Sequence, residues 1–172
     1  IAYARCVPNA MLMAPKDEDE LVDMLWTALQ HHGPMFIRYP RGAAEGVPIK
    51  QHPAILPIGK AEVLREGRDG AIWAVGTLAS DARAAAERLA AESGPDLTVV
   101  NARFVKPLDS ELLASQLRPG ARLMTVEENA LAGGFGAAVM EAVAGLGVPD
   151  VAIERLGIPD EFQPHGAQEI LR

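Results

Sequence analysis

The chain has 172 residues, enough for one domain or one and a half, and 49% of them are hydrophobic, so it can form a substantial core. Its formal net charge of −7 argues against nucleic acid as the main partner, and without a run of about 18 apolar residues no membrane-spanning helix is predicted. The single cysteine, Cys6, excludes a disulfide framework and fits a reducing, cytoplasmic compartment.

The first 42 residues are predicted to form one β-α-β unit. An apolar run over residues 10–14 predicts the first strand. Acidic residues over 17–20 come directly before apolar residues spaced three and four apart, a pattern typical of a helix whose dipole is stabilised by negative charge in its first turn. Histidines and a glycine at 31–33 indicate the end of this helix, and residues 35–39 predict the second strand.

Arg38 and Arg41 lie three positions apart where the second predicted strand ends, in the stretch Ile-Arg-Tyr-Pro-Arg-Gly over residues 37–42. A guanidinium group offers a planar set of donors that matches a phosphate or a carboxylate, and open α/β sheets usually bind ligands at the ends of their strands. Arginine is also a common surface residue, so two exposed side chains without a ligand are the alternative. The residues alone leave both interpretations open.

Residues 43–56 are predicted to be an interdomain linker, because Pro48 and Pro53 stand among polar residues there. From residue 57 onward, short apolar runs alternate with helical patterns. The predicted strands are 60–65, 71–75, 97–101, 122–126 and 151–156, and the predicted helices are 81–92, 109–117 and 136–146. Strands that alternate with helices at this spacing are typical of a mainly parallel sheet covered on both faces.

Glu127, Glu128 and His165 are candidates for an interface or structural role. The two glutamates follow a predicted strand directly; paired carboxylates can serve acid–base chemistry, but no histidine or nucleophile lies near them in the sequence. His165 precedes a short final helix, where histidines more often cap or donate hydrogen bonds than catalyse. The glycines over 133–136 lack the acidic partner of a dinucleotide fingerprint, and they indicate a flexible entry to a helix that packs against something close. We therefore predict no catalytic, cofactor-binding or metal-ligating residue in this chain.

Six short motifs follow one another along the chain. They lie at 37–42, 57–60, 75–77, 101–109, 125–129 with 133–134, and 157–160 with 165–166. Taken in this order, they resemble the C-terminal part of the 1-deoxy-D-xylulose-5-phosphate synthases, which belong to the transketolase-like superfamily. The resemblance covers essentially the whole chain, and the ordered set is far more specific than any single motif.

The resemblance implies an α/β fold in two unequal parts. Residues 1–42 would be the C-terminal tail of a thiamine-diphosphate pyrimidine-binding domain, and residues 43–56 the linker. Residues 57–172 would be a transketolase C-terminal-like three-layer domain with a mainly parallel sheet.

The synthases are transferases that condense pyruvate with D-glyceraldehyde 3-phosphate to 1-deoxy-D-xylulose 5-phosphate and carbon dioxide, for isoprenoid precursor and thiamine biosynthesis. The resemblance implies thiamine diphosphate and Mg²⁺ as cofactors of a full-length, homodimeric enzyme. Arg41 corresponds to a ligand of the aldehyde substrate's phosphate, and Arg38 either assists it or holds the strand end. The family's metal, diphosphate and catalytic motifs are absent here, and the chain starts with Ile1, so we expect an inactive fragment that needs the missing N-terminal domains and binds neither cofactor alone.

Two other interpretations remain. The first is the C-terminal subunit of a split transketolase, or a 2-oxo acid dehydrogenase β subunit, which would share the general pattern of this part of the fold. The second belongs to another class, a non-catalytic docking or binding module. The combination of Arg-Tyr-Pro-Arg-Gly over residues 38–42 with Gly-Ile-Pro-Asp-Glu-Phe over residues 157–162 favours the synthase.

Overall fold

The computed structural model describes residues 1–42, 45–163 and 166. Strands and helices alternate through most of this length. In chain order they are α1 Ala2–Arg5, β1 Met11–Met13, α2 Glu18–Gln30, β2 Met35–Ile37, β3 Glu62–Arg65, β4 Gly70–Ala74, α3 Leu78–Ala91, β5 Leu97–Asn101, β6 Phe104–Lys106, α4 Ser110–Gln116, β7 Arg122–Ala130, α5 Phe135–Leu146 and β8 Ala152–Ile158. Helix α1 and strand β6 were not predicted from the sequence, and β7 continues four residues beyond its predicted end.

The larger sheet has five strands in the order β3-β5-β4-β7-β8. Strand β4 runs parallel to β5 and β7, β8 runs parallel to β7, and only the edge strand β3 is antiparallel to its neighbour within this sheet. Alternate residues of β4 serve opposite faces: Ile72 packs among the alanines of α3, and Trp73 packs among apolar residues of α4 and α5. The predicted three-layer α/β fold with a mainly parallel sheet is confirmed.

A smaller sheet has the order β2-β1-β6. Its parallel β1–β2 pair, joined through α2, is the predicted β-α-β unit. Strand β6 pairs antiparallel with β1, with Met13 opposite Phe104. The chain reaches this position through Arg103, whose backbone is left-handed with φ 55°. The small sheet therefore contains strands from before and after the predicted linker.

Helix α2 holds residues 45–56, which we call the connecting segment, along one side. The acceptors lie one helical turn apart on α2, at residues 19, 23 and 27. The bonds run from Lys50 N to Asp19 Oδ1 at 2.8 Å, from Ala54 N to Asp23 Oδ1 at 2.7 Å and from Leu56 N to Thr27 Oγ1 at 2.8 Å. The side chain of Leu56 is buried in a core cluster with Met13, Met24 and Phe104. The connecting segment is thus bound to the β-α-β unit, while the division into domains at residues 43–56 stays a prediction.

Two glycines of α5 are expected to respond in opposite directions to alanine. A Cβ atom at Gly136 would lie 2.6 Å from Thr125 Oγ1 and 2.9 Å from Arg155 Cδ, whereas at Gly145 it would meet no heavy atom within 4 Å. Crowding of a packed site costs about 1–3 kcal/mol, and an unobstructed Gly→Ala change in a helix gains about 0.4–1 kcal/mol. Urea unfolding followed by circular dichroism should give a lower midpoint for Gly136→Ala and a higher one for Gly145→Ala. Equal urea midpoints for the two variants would contradict the close packing at the start of α5.

Candidate functional site

The C-terminal end of β2 is held against β1. The Arg38 amide donates to the Met13 carbonyl at 2.8 Å, so the backbone is fixed one residue beyond the strand. The parallel strands β1 and β2 end at the same edge of the small sheet. Arg41 follows three residues later, outside regular structure. Both predicted arginines therefore belong to the chain that leaves this edge, where open α/β sheets usually bind ligands.

The Arg38 side chain is hydrogen-bonded to Glu128 of strand β7. Its Nη1 atom lies 3.1 Å from Oε2 of Glu128, and its Nη2 atom donates to the Glu128 carbonyl at 3.2 Å. This two-point contact, one bond to the carboxylate and one to the carbonyl of Glu128, joins the small sheet to the large one. The structure thus brings together two of the residues singled out from the sequence.

The Arg41 side chain is exposed to solvent. Within residues 1–42, 45–163 and 166, the structure gives Arg41 no hydrogen bond and no ion pair. An unpaired guanidinium keeps all its donors for an anionic ligand, whereas Arg38 would have to leave Glu128 first. The two guanidinium groups therefore differ in the number of donors that they have free.

Glu127 lies on the same strand as Glu128 but serves another element. Its carboxylate is 2% exposed and accepts the backbone amides of Phe135 at 2.7 Å and Gly136 at 2.8 Å, so it caps the N-terminus of α5. Burial raises the pKa of Glu127, and these amides and the nearby Arg155 oppose the rise. The two glutamates therefore bind different partners and do not form a paired acid–base site. The prediction that this helix packs against something close is confirmed at Gly136, where an added Cβ atom would lie 2.6 Å from Thr125 Oγ1.

Among the described residues, a metal site and a membrane-spanning helix are both absent. His165 lies outside the described residues. Among the residues that the structure describes, no three His, Cys, Asp or Glu side chains are grouped so that they could share a metal ion. The described residues likewise contain no helix with the length and apolar character to cross a membrane.

A cleft of about 390 Å³ opens at the edge of the large sheet where strands β4 and β7 begin. Gly70 and Arg122, which begin β4 and β7, line this cleft together with Arg68, Arg118 and Gly120. Arg38 and Arg41 are not among its lining residues. This cleft is therefore not the predicted phosphate site.

A polar cluster that sequence reasoning missed joins α2 to the main sheet. Its members are Lys16, Glu20, Glu62, Asn101 and Arg103, and we call it the interface cluster. The Glu20 carboxylate is 2% exposed and accepts from Arg103 Nε at 2.7 Å and Asn101 Nδ2 at 2.9 Å. The Glu62 carboxylate accepts from Lys16 Nζ at 3.1 Å and lies 3.1 Å from Arg103 Nη2. Two acids and two bases leave no net charge, which offsets part of the cost of removing them from water.

The interface cluster should make stability depend on pH at the acid end. Burial alone would raise the pKa of Glu62, but the hydrogen bond from Lys16 and the charge of Arg103 hold it below its ordinary value. A carboxyl whose pKa is depressed by folding adds stability above its unfolded pKa, and this stability is lost as the pH falls through the folded pKa. We expect Glu62→Gln to flatten the dependence of the unfolding free energy on pH below about 4.5. Denaturant titrations from pH 3 to 7 would check this, and an unchanged slope would contradict it.

Comparison with known proteins gives a consistent result. The profile of the family described as "Transketolase, C-terminal domain" matches residues 59–172. The chain is 54% identical over its full length to 1-deoxy-D-xylulose-5-phosphate synthase 1 of Geobacter metallireducens, of which it covers 27%. It is 53% identical over 96% of its length to 1-deoxy-D-xylulose-5-phosphate synthase of Symbiobacterium thermophilum, of which it covers 25%. The chain thus spans about a quarter of the length of these relatives.

Two solved structures share the fold. The first is titled "Split gene transketolase, inactive beta4 tetramer"; its TM-score is 0.76 at 29% identity, over 92% of this chain and 52% of that one. The second is a transketolase mutant from Pichia stipitis, with a TM-score of 0.59 at 18% identity over 91% of this chain and 22% of that one. The second likeness concerns the fold alone.

Proposed function

The chain belongs to the transketolase C-terminal domain family, and from this premise we propose that it is the C-terminal part of a 1-deoxy-D-xylulose-5-phosphate synthase. The full-length enzyme would condense pyruvate with D-glyceraldehyde 3-phosphate and release carbon dioxide, in the service of isoprenoid precursor and thiamine biosynthesis. The observation that carries this proposal is the 54% identity, over every residue of the chain, to a protein of that name. Because the chain spans about a quarter of such relatives, the activity is proposed for the longer protein.

We assign Arg41 to the phosphate of the aldehyde substrate and Arg38 to the support of the strand end. The assignment is supported by the different surroundings of the two guanidinium groups, since Arg38 is bound to Glu128 and Arg41 has no partner among the described residues. A phosphate dianion at Arg41 would accept charge-assisted hydrogen bonds, which are about twice as strong as neutral ones. The chain then contributes to recognition of the acceptor and not to bond making.

The cofactors are proposed to bind outside this chain. The described residues contain no group of three potential metal ligands, so they do not fit a magnesium–diphosphate site, and we derive no step through it. Thiamine diphosphate and Mg²⁺ would be held by the other domains of a cytoplasmic homodimer. Residues 1–42 would complete the pyrimidine-binding domain, and residues 57–172 would form the C-terminal domain.

A split transketolase is the second candidate. This candidate is favoured by the similar structure, over 92% of this chain, of a protein titled as an inactive tetramer of a split-gene transketolase. The 29% identity to that protein is well below the 54% identity to the synthase, so we rank the synthase first.

Carbon dioxide release from pyruvate distinguishes these functions. With thiamine diphosphate and Mg²⁺ present, the full-length polypeptide should release carbon dioxide when glyceraldehyde 3-phosphate is added, and the 172-residue chain alone should show no turnover. Transfer of a two-carbon unit from a ketose phosphate, without carbon dioxide release, would identify a transketolase instead. Turnover by the chain alone would refute the assignment of the cofactors to other domains.

A further inference from the structure

A short path of main-chain hydrogen bonds links the interface cluster to the C-terminal end of β2, the strand that precedes Arg41. The Arg103 carbonyl accepts the Ala14 amide at 2.9 Å, and the adjoining Met13 carbonyl accepts the Arg38 amide at 2.8 Å. One peptide unit, between Met13 and Ala14, therefore separates the main chain of Arg103 from that of Arg38. Arg41 follows three residues further on.

Side chains fix both ends of this path. At one end, the guanidinium of Arg103 bridges Glu20 of α2 and Glu62 of β3, with Nε 2.7 Å from the first carboxylate and Nη2 3.1 Å from the second. At the other end, Arg38 is held by Glu128. A planar guanidinium that satisfies two carboxylates at once tolerates little displacement, because each shift weakens one of the two contacts.

We propose that the interface cluster consists of positioning residues for Arg41, through which the C-terminal part determines where the phosphate of the substrate binds without touching it. The proposal rests on the assignment of Arg41 to the phosphate. Glu20 and Asn101 are almost fully buried and bonded to each other, so they have no route to a ligand of their own. Their hydrogen bonds join α2, which carries Glu20, to strand β5 of the large sheet, which carries Asn101.

The test uses Arg103→Ala in the full-length enzyme. We expect the KM for glyceraldehyde 3-phosphate to rise about tenfold. A change of this size lies within the coupling found between residues that act through shared contacts. The kcat and the KM for pyruvate should stay within about twofold of the unaltered enzyme, because the pyruvate step does not involve the phosphate. With D-glyceraldehyde, which lacks the phosphate, the variant and the unaltered enzyme should react at equal rates.

Two further variants keep the test decisive. Glu62→Gln preserves the side-chain shape at a less buried member of the cluster, and should raise the same KM in the same direction even if Arg103→Ala fails to fold. Arg83→Ala breaks an exposed ion pair with Glu87 on α3, and should leave every constant unchanged. Thermal unfolding of each variant shows whether a higher KM comes from loss of the fold or from displacement of Arg41 in a folded enzyme.

A double-mutant cycle with Arg41→Ala decides between positioning and general support. If the cluster acts through Arg41, the Arg103→Ala change has no further effect on the phosphate-dependent KM once Arg41 is gone. Additive losses, or an equal loss with D-glyceraldehyde, would overturn the inference while leaving the role of Arg41 intact. If Arg41→Ala alone leaves the phosphate dependence unchanged, the proposed phosphate site itself fails.

Discussion

Replacement of Arg41 by alanine in the full-length enzyme is expected to lower kcat/KM for glyceraldehyde 3-phosphate by roughly 30- to 1,000-fold, a loss of about 2–4 kcal/mol. The physical reason is that a phosphate dianion loses a charge-assisted contact that Arg38, already bound to Glu128, is not free to replace. The pyruvate step should change little, because pyruvate carries no phosphate. Steady-state kinetics with each substrate varied in turn would measure both effects.

Two matched variants define what Arg41 contributes. Arg41→Lys should recover only part of the loss, because an ammonium group cannot form the planar pair of hydrogen bonds. Arg38→Ala removes the contact with Glu128 and should lower thermal stability, in addition to its effect on the strand end. An unaltered KM for glyceraldehyde 3-phosphate in Arg41→Ala, or equal damage to the pyruvate and aldehyde steps, would show that Arg41 does not bind the phosphate.

Trp73→Ala is expected to lower the free energy of unfolding by about 3–5 kcal/mol, which is typical of a buried tryptophan replaced by alanine. Trp73 lies in the central strand β4, is 0% exposed, and donates its indole N–H to Gln116 Oε1 at 2.7 Å. The substitution removes apolar contact between this strand and the helices α4 and α5, and Gln116 Oε1 loses the indole donor. For a chain of this length the melting temperature should fall by roughly 6–20 °C.

Trp26, the second tryptophan, supplies the control for this experiment. It lies on α2 and is 40% exposed, so Trp26→Ala should cost far less than Trp73→Ala. Urea unfolding followed by far-ultraviolet circular dichroism avoids dependence on the tryptophan signal that each variant removes. Similar midpoints for the two variants would contradict the burial of Trp73 in the main core.

The elements that follow local patterns could be predicted from the sequence. The acidic first turn of α2 is one such case: the Asp17 side chain accepts from the Glu20 amide at 2.7 Å, as expected for a helix cap. The alternation of strands and helices beyond residue 57 likewise gave the parallel sheet. In both cases the information lies within a few neighbouring residues, so tertiary contacts had only to agree with it.

Features that depend on distant partners could not be predicted in this way. Strand β6 has three residues, too few for a period to be recognised, and it forms because β1 offers a free edge some ninety positions earlier. Glu20 belongs to an acidic run that helix capping already explains, and nothing local shows that this one carboxylate is buried against Asn101, 81 positions away. The exposed state of Arg41 and the bound state of Arg38 are tertiary facts of the same kind.

The pairing of β1 with β6 has a consequence for the construction of chimaeras between relatives. A crossover placed in the connecting segment would take β1 from one parent and β6 from the other, and it would divide the interface cluster between Glu20 and Arg103. A crossover upstream of β1 would inherit both sheets and every member of the cluster from one parent. The exchangeable unit for recombination therefore begins before the β-α-β unit, and not at the proline-rich stretch where the sequence changes character.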